Sequence, residues 1–485
     1  MKFDTGKYEA VIGLEIHARL NTQSKLFCAD KNSFGAAPNT FVSEISLAHP
    51  GTLPVLNKEA IVFAIKMGIA CNCDIAPFTF FARKNYFYPD LPKGYQVSQH
   101  TTPICKNGFV QIQTENYSRD IFLNRIHLEE DAGKSIHDMN DHFSLLDFNR
   151  AGTPLIEIVT DPVLHSAEEA YQFIAEIRRL VKWIDICDGN MEEGSLRCDA
   201  NISIRTKGSK KLGTKVEVKN LNSLRHVKKA IDVEIERLIS LATNNQPIIQ
   251  ETRSYDAEEN TTFSLREKEE ADDYRYFPEP DLPPINISND FLDKIKKQIP
   301  ELPAEKMKRY AEEYKLSVYD AERLCAEKPV AMFFDEVIRH ATNYKAIANW
   351  ITGPMMQYLN DQKMDFTVNP LSAKQLAEII TLVEENQMSF STAASKLLPY
   401  LMEHTNIHPL QAASTQGWLQ VNDMNELENW VNLVLEKMPE KVKEYQKGKK
   451  GLIGLMVGEV KKLSKGKADP SATMKMLEEK LIINN

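Results

Sequence analysis

Met191-Glu192-Glu193-Gly194-Ser195-Leu196-Arg197-Cys198-Asp199-Ala200-Asn201-Ile202-Ser203-Ile204-Arg205 is the stretch whose reading decides the fold. From Leu196 onward it alternates. Arg197, Asp199, Asn201, Ser203 and Arg205 fall on one face, and Leu196, Cys198, Ala200, Ile202 and Ile204 on the other, because successive side chains of a strand point to opposite sides. Similar runs occur at Val11–His17, Val110–Gln113, Leu155–Thr160 and Lys215–Lys219, with loops rich in Asn, Asp, Gly and Pro between them. Two helical stretches interrupt the strands. Ser166–Ile184 opens on Ser166-Ala167-Glu168-Glu169, a capping-box pattern, and Ser223–Thr243 is amphipathic. The expectation is an α+β fold built on a large mixed or antiparallel sheet.

The proline-dense Phe277-Pro278-Glu279-Pro280-Asp281-Leu282-Pro283-Pro284 can continue neither helix nor sheet, so a boundary is expected near it. Beyond it the pattern turns helical, as at Pro303–Tyr314 and Ala373–Asn386. The expected organisation is a catalytic cradle domain over 1–288, an all-α helical domain over 289–405 and a small α-helical tail domain over 406–485.

The chain has 485 residues, 42% of them hydrophobic, and a formal net charge of −9. That suffices for a buried core, and ordinary counts of 20 glycines and 23 prolines exclude collagen-like and low-complexity readings. Seven scattered cysteines fit a reducing cytoplasm and structural thiols better than a disulfide framework. The first residues lack the pattern of a secretory signal, and the more apolar stretches are too short to span a membrane. Charge is unevenly shared. Residues 441–485 carry eleven lysines and five acids, a formal +6, which leaves −15 on the other 440 residues. Lys447, Lys449, Lys450, Lys461, Lys462, Lys465 and Lys467 cluster with glycines at helix starts and turns, where ammonium groups and free amides suit phosphates.

The candidate chemistry lies on the strands. In Val11–His17, Glu15 and His17 share a face and can ligate one cation. Glu129-Glu130-Asp131 ends an alternating strand with three acids that repel one another unless a cation or base is near. Glu157 stands in the apolar run Leu155–Val159, where an unpaired carboxylate costs several kcal/mol, so it must be paired, protonated or metal-bound. Glu15, His17, Glu130, Glu157 and Asp199 together suit a hard cation such as Mg²⁺ better than zinc. Gly208-Ser209-Lys210-Lys211-Leu212-Gly213-Thr214-Lys215 is no phosphate-binding loop, since it ends in Thr-Lys and leads into a strand instead of opening a helix. Two aromatic-rich segments, Arg83–Gln96 and Asp272–Phe277, can line a substrate pocket or a nucleic-acid end, or simply pack on the sheet.

The segments Gly13–His17, Arg83–Gln96, Leu128–Ser135, Asp147–Thr160, Met191–Arg205, Lys215–Ser223 and Asp272–Pro280 resemble the B subunits of the aspartyl/glutamyl-tRNA amidotransferases, and the likeness extends into the lysine-rich tail. The resemblance implies a cytoplasmic, membrane-free heterotrimer in which an amidase (the A subunit) and a small bridging protein (the C subunit) are the partners. It implies that the chain uses ATP and Mg²⁺ to phosphorylate the misacylated Glu or Asp on tRNA(Gln) or tRNA(Asn), after which ammonia displaces the phosphate. The family's Mg²⁺ ligands map onto His17, Glu130 and Glu157, with Glu15 close by and Lys84 and Asp199 as polar cleft residues. Glu129 or Glu130 is then expected to deprotonate incoming ammonium. Some members carry a four-cysteine zinc site whose positions here read Cys28, Asp30, Ser43 and Ser46, so no structural zinc is expected. A metallohydrolase could use the same cluster but would not need the basic tail. A tRNA-binding module would explain the tail but not Glu157.

Overall fold

The computed structural model describes residues 6–137, 142–267, 274–420, 424–464 and 466–483. They form two compact units, residues 1–302 and 303–485.

The first unit is a long, mixed sheet with helices on its apolar side. Its strands along one hydrogen-bonded path are β1 (Tyr8–Arg19), β2 (Ala82–Asn85), β3 (Tyr95–Ser98), β4 (Ser118–Glu130), β5 (Pro154–Thr160), β6 (Leu196–Thr206), β7 (Val216–Leu221), β8 (Glu251–Asp256), β9 (Thr261–Glu267) and β10 (Phe277–Pro278), in the order β9-β8-β7-β6-β1-β5-β4-β3-β2-β10. On this path only the β7–β8 pair is parallel among the described residues. The long central strand β1 is paired on both sides. Its register sets His17 opposite Glu157 of β5 and opposite Arg197 of β6, and Glu15 opposite Asp199.

The apolar face is continuous. Ile12, Leu14, Ile16 and Ala18 of β1, Ile126 and Leu128 of β4, Ile156 and Ile158 of β5, and Ala200 and Ile202 of β6 are buried in one core. Helices α1 (Lys58–Ala70), α2 (Ala167–Trp183) and α3 (Leu224–Thr243) supply the other side of that core with residues such as Ile65, Phe173, Ile177 and Ile231. Each of the latter two begins on a serine cap. Ser166 accepts from Glu169 N and Ser223 from His226 N, which satisfies amides the first helical turn leaves free. The Glu169 carboxylate departs from the capping box: it accepts from His165 N at 2.6 Å, Arg119 Nη1 at 2.8 Å and the Tyr117 hydroxyl at 2.9 Å.

The proline-dense stretch belongs to this unit. Phe277–Pro278 is a short edge strand, the place where proline's missing N–H costs no ladder bond. The buried Glu279 behind it accepts from Arg83 Nε and Nη2 at 2.7 and 2.8 Å. Helix α4 (Asn289–Lys296) packs on α1, with Ile295 in the same core, so the unit runs past residue 288.

Near the start of the chain, Asp30 accepts from Ser43 N at 2.8 Å and from the Ser46 hydroxyl, and Cys28 Sγ lies 3.4 Å from Ser46 Oγ. A fully buried Lys25 ammonium closes this group, donating to Phe41 O at 2.7 Å and Phe148 O at 3.3 Å, with Asp30 at 3.9 Å. Burial pulls that ammonium below the ordinary lysine range, against the pull of nearby Cys28 and Asp30. Packing and hydrogen bonds thus tie this segment to the 147–152 loop.

The second unit is helical throughout. It includes α5 (Pro303–Glu313), α6 (Lys328–Val337) and α7 (Ala373–Glu384). Its last part has a core of its own, made by Leu427, Val431, Val434, Tyr445, Met456, Val460, Leu477 and Leu481 on α8 (Met424–Lys437), α9 (Leu452–Leu463), α10 (Pro470–Ile483) and the segment before α9. None of the described helices is long and apolar enough to cross a membrane.

Candidate functional site

The polar face of the sheet holds the site. Strand alternation brings Arg125, His127 and Glu129 of β4 to it, and pairing with β5 sets His127 directly against Glu157. On the other side of Glu157, in register, comes His17. The result is a side-by-side constellation from three strands. His17 Nε2 lies 3.4 Å from Glu129 Oε1 and 3.5 Å from Glu157 Oε2, and His127 Nε2 lies 3.3 Å from Glu157 Oε2. One atom each from His17, Glu129 and Glu157 falls within 4.8 Å of the other two, which makes a group able to hold a metal ion.

Electrostatics follow from crowding two carboxylates under partial burial. Burial and then the neighbouring Glu157 charge push the Glu129 carboxyl up. Burial pushes Glu157 the same way, but the His127 and His17 imidazoles hold it well below the ordinary carboxylate range. Burial alone would lower His17, yet contact with Glu157 and Glu129 outweighs it and raises the imidazole to about 9. Once a cation displaces the His17 proton, the imidazole and two carboxylates so arranged are donors that would suit a hard, six-coordinate cation with room for water and phosphate oxygens. The donor set therefore fits Mg²⁺.

The carboxylate beside His17 and Glu157 is Glu129 and not Glu130. Adjacent strand residues point to opposite faces, so Glu130 turns to the far side of the sheet. There it pairs with Lys93 and accepts from Val97 N at 2.9 Å, against Gly152 and Phe27 in a separate cavity of about 790 Å³. The other cleft residues named from the sequence line one open cavity of about 1300 Å³ with His17. Glu15 accepts from Asn201 Nδ2 at 2.9 Å, and Asp199 accepts from Lys219 Nζ at 2.6 Å. Burial pulls Lys219 down, but Asp199 and Glu217 raise it above the ordinary lysine range. The Lys84 ammonium stands 4.7 Å from the Tyr274 ring centre.

Sequence reasoning gave no role of their own to Arg125 and His127, read Asp131 only as one of three crowded acids and Tyr276 only as part of an aromatic segment; all four line the same cavity. The first two were readable, because Arg125 and His127 keep the phase of Glu129. Asp131 was not, since its contact with Arg197 Nη2 at 3.0 Å joins strands far apart in the chain. In the tail, Lys447, Lys449, Lys450, Lys461 and Lys462 are exposed and Lys467 is half-buried, while Lys465 lies outside the described residues. Two are paired with local acids, Lys449 with Glu444 at 3.1 Å and Lys462 with Glu459 at 2.7 Å.

The sheet unit with this polar group and the helical unit that follows it in sequence both match models of one enzyme class, the amidotransferases. Residues 10–293 match the GatB/GatE catalytic domain and residues 332–481 the GatB domain. The chain is 46% identical over 471 residues to the B subunit of the aspartyl/glutamyl-tRNA(Asn/Gln) amidotransferase of Thermodesulfovibrio yellowstonii, covering 97% of this chain and 98% of that one. It is 46% identical to the protein of the same name from Gloeothece citriformis (98% of each chain) and 44% identical to that of Persephonella marina (98% of this chain, 100% of that one). The chain belongs to the family of amidotransferase B subunits.

Proposed function

We propose that this chain activates the side-chain carboxylate of Glu or Asp esterified to tRNA(Gln) or tRNA(Asn), using ATP and Mg²⁺, and lets ammonia convert it to the amide. The single observation that carries this reading is the meeting of His17, Glu129 and Glu157 on one polar sheet face. A bound Mg²⁺ would offset charge on the reacting phosphate oxygens. His17, Glu129 and Glu157 would hold that cation. Lys84 and Arg125, which line the same cavity, would offset the remaining phosphate charge.

The chemistry balances without a covalent enzyme intermediate. A carboxylate oxygen of the substrate attacks the γ-phosphorus and ADP leaves. Ammonia then attacks the acyl carbon, and phosphate leaves with that oxygen. Sequence reasoning assigned the proton from incoming ammonium to Glu129 or Glu130; because Glu129 stands in the cation group and Glu130 lines a separate cavity, we give that role to Glu15, which accepts from Asn201. Ammonia comes from a partner amidase (the A subunit), and a small C subunit completes a cytoplasmic heterotrimer. The lysine-rich tail, Lys447 through Lys467, binds the RNA backbone.

The test is reconstitution of the chain with candidate amidase and small subunits, with charged tRNA, ATP and Mg²⁺, and either glutamine or ammonium as nitrogen source. Amide formation with both sources, and phosphate release that requires the charged tRNA, supports the reading. RNA binding without ATP turnover would make the chain a binding module.

A further inference from the structure

We propose that the aromatic rim at the mouth of the polar cavity is a stacking platform for the unpaired 3′-terminal bases of the aminoacylated RNA. This inference rests on the function proposed above and adds to it a specific element of the substrate.

Of the two aromatic segments singled out in the sequence and not used by the cation site, Arg83–Gln96 and the described residues Tyr274–Phe277 come together here (Asp272 and Asp273 lie outside the described residues). Asn85 N donates to Tyr274 O at 3.0 Å, which joins the end of β2 to the residues before β10. Tyr86 meets both Tyr88 and Tyr274 edge-on with centroids 6.1 Å apart, and Tyr274 meets Tyr276 at 5.9 Å. His100 lies flat on Tyr276, 3.8 Å away at 6°. Tyr86, Tyr274, Tyr276 and His100 all line the cavity; Tyr88, which meets Tyr86, and its sequence neighbour Phe87 are 53% and 81% exposed.

Aromatic rings that served only to pack would turn into the core. Here Tyr86, Tyr274 and Tyr276 are only half-buried and Phe87 and Tyr88 are exposed, beside a charged cleft, as suits an interaction surface. Its charge specifies the partner. Lys84 stands over the Tyr274 and Tyr86 rings, and Arg125 lines the same cavity, so anions and flat π-systems are both met at one place. Single-stranded nucleic acid presents that combination, with bases for the rings and phosphates for the cations. Covalent geometry adds the direction. The amino acid is an ester of the terminal ribose, so a carboxylate delivered to His17, Glu129 and Glu157 brings the terminal base to the cavity mouth.

The experiment uses the full chain with its partner subunits and charged tRNA carrying 2-aminopurine as its terminal base. Stacking quenches that fluorophore. The expected result is quenching on binding that Phe87→Ala and Tyr88→Ala each reduce, with KM for the charged tRNA raised about tenfold for each ring removed. The ATP KM and Mn²⁺ affinity stay unchanged, and Tyr88→Phe behaves as the wild type. Undiminished quenching and an unchanged tRNA KM in both alanine variants overturn the platform while leaving the proposed function intact. A raised KM for ATP instead assigns the rim to the nucleotide's adenine and overturns it too. A wild-type complex that fails to bind charged tRNA overturns the function and the platform together.

Discussion

His17 and Glu157 are direct register partners across antiparallel β1 and β5, and their side chains meet with Nε2 3.5 Å from Oε2. The backbone ladder itself therefore holds the two donors at ligand spacing. Loss of either donor should remove the site without disturbing the apolar face below. His17→Asn and Glu157→Gln are expected to weaken Mn²⁺ binding by more than about 100-fold, beyond the range for residues that only orient a ligand. Binding of tRNA should change little. Titration of the full chain with Mn²⁺, followed by electron paramagnetic resonance, checks this, and metal affinity equal to wild type would remove both residues from the site.

Glu129 and Glu130 separate the two faces of the sheet. Glu129→Gln should lower metal affinity and leave folding nearly unchanged. Glu130→Gln should leave metal affinity alone and destabilise the chain by about 3 kcal/mol, because it strands the mostly buried Lys93 ammonium without its partner. Parallel metal titrations and urea melts of the two variants give the answer. Reversed phenotypes would mean that the strand phase at β4 is off by one residue.

How much of this was legible in the sequence depends on the residue. The face of each strand could be read, because apolar Leu14, Ile16, Ile126, Leu128, Ile156 and Ile158 fix the phase that puts His17, His127, Glu129 and Glu157 outward. Glu130 follows Ile126 and Leu128 in that phase, so its place on the apolar side was also implicit in the alternation. Which strands adjoin was not readable. The pairings His17–Glu157 and His127–Glu157 join segments far apart in sequence, and no local pattern encodes them. The proline run at 278–284 misled for a related reason. Its role as an edge strand tied by Glu279 to Arg83 depends on a partner nearly two hundred residues away. Lys25 gave no local sign that its ammonium would be wholly buried.

Glu169 supplies a pH test of the fold. Burial raises its carboxyl, but the His165 amide, Arg119 and Tyr117 outweigh that and hold it below the ordinary glutamate value of 4.5. A depressed folded-state value means its stabilising contribution is complete above about 4.5 and is lost as pH falls through the lower folded value. Glu169→Gln should therefore cost about 1 to 2 kcal/mol at neutral pH, since the partner Arg119 is about one-third exposed and screened by solvent. The gap to wild type should shrink steadily below about pH 4.5. Urea melts from neutral to strongly acidic pH measure it, and a gap that stays constant would show that the contacts act through packing and not through charge.

The tail lysines are expected to act through phosphates. Replacing Lys447, Lys449 and Lys450 together by Gln should reduce the slope of log K against log salt for tRNA by up to about 2 to 3, roughly 0.7 to 0.9 for each phosphate no longer neutralised. Filter binding at several salt concentrations provides the slope. No change would make these lysines, one of them already paired with Glu444, a solvated face.

The most direct measurement follows an oxygen atom. Charged tRNA bearing Glu labelled with ¹⁸O in both side-chain carboxylate oxygens would be converted by the reconstituted complex with ATP, Mg²⁺ and glutamine. If the carboxylate attacks the γ-phosphorus, the released phosphate carries one ¹⁸O and the new amide retains the other. Unlabelled phosphate alongside amide formation would contradict phosphorylation of the substrate at the His17–Glu129–Glu157 face.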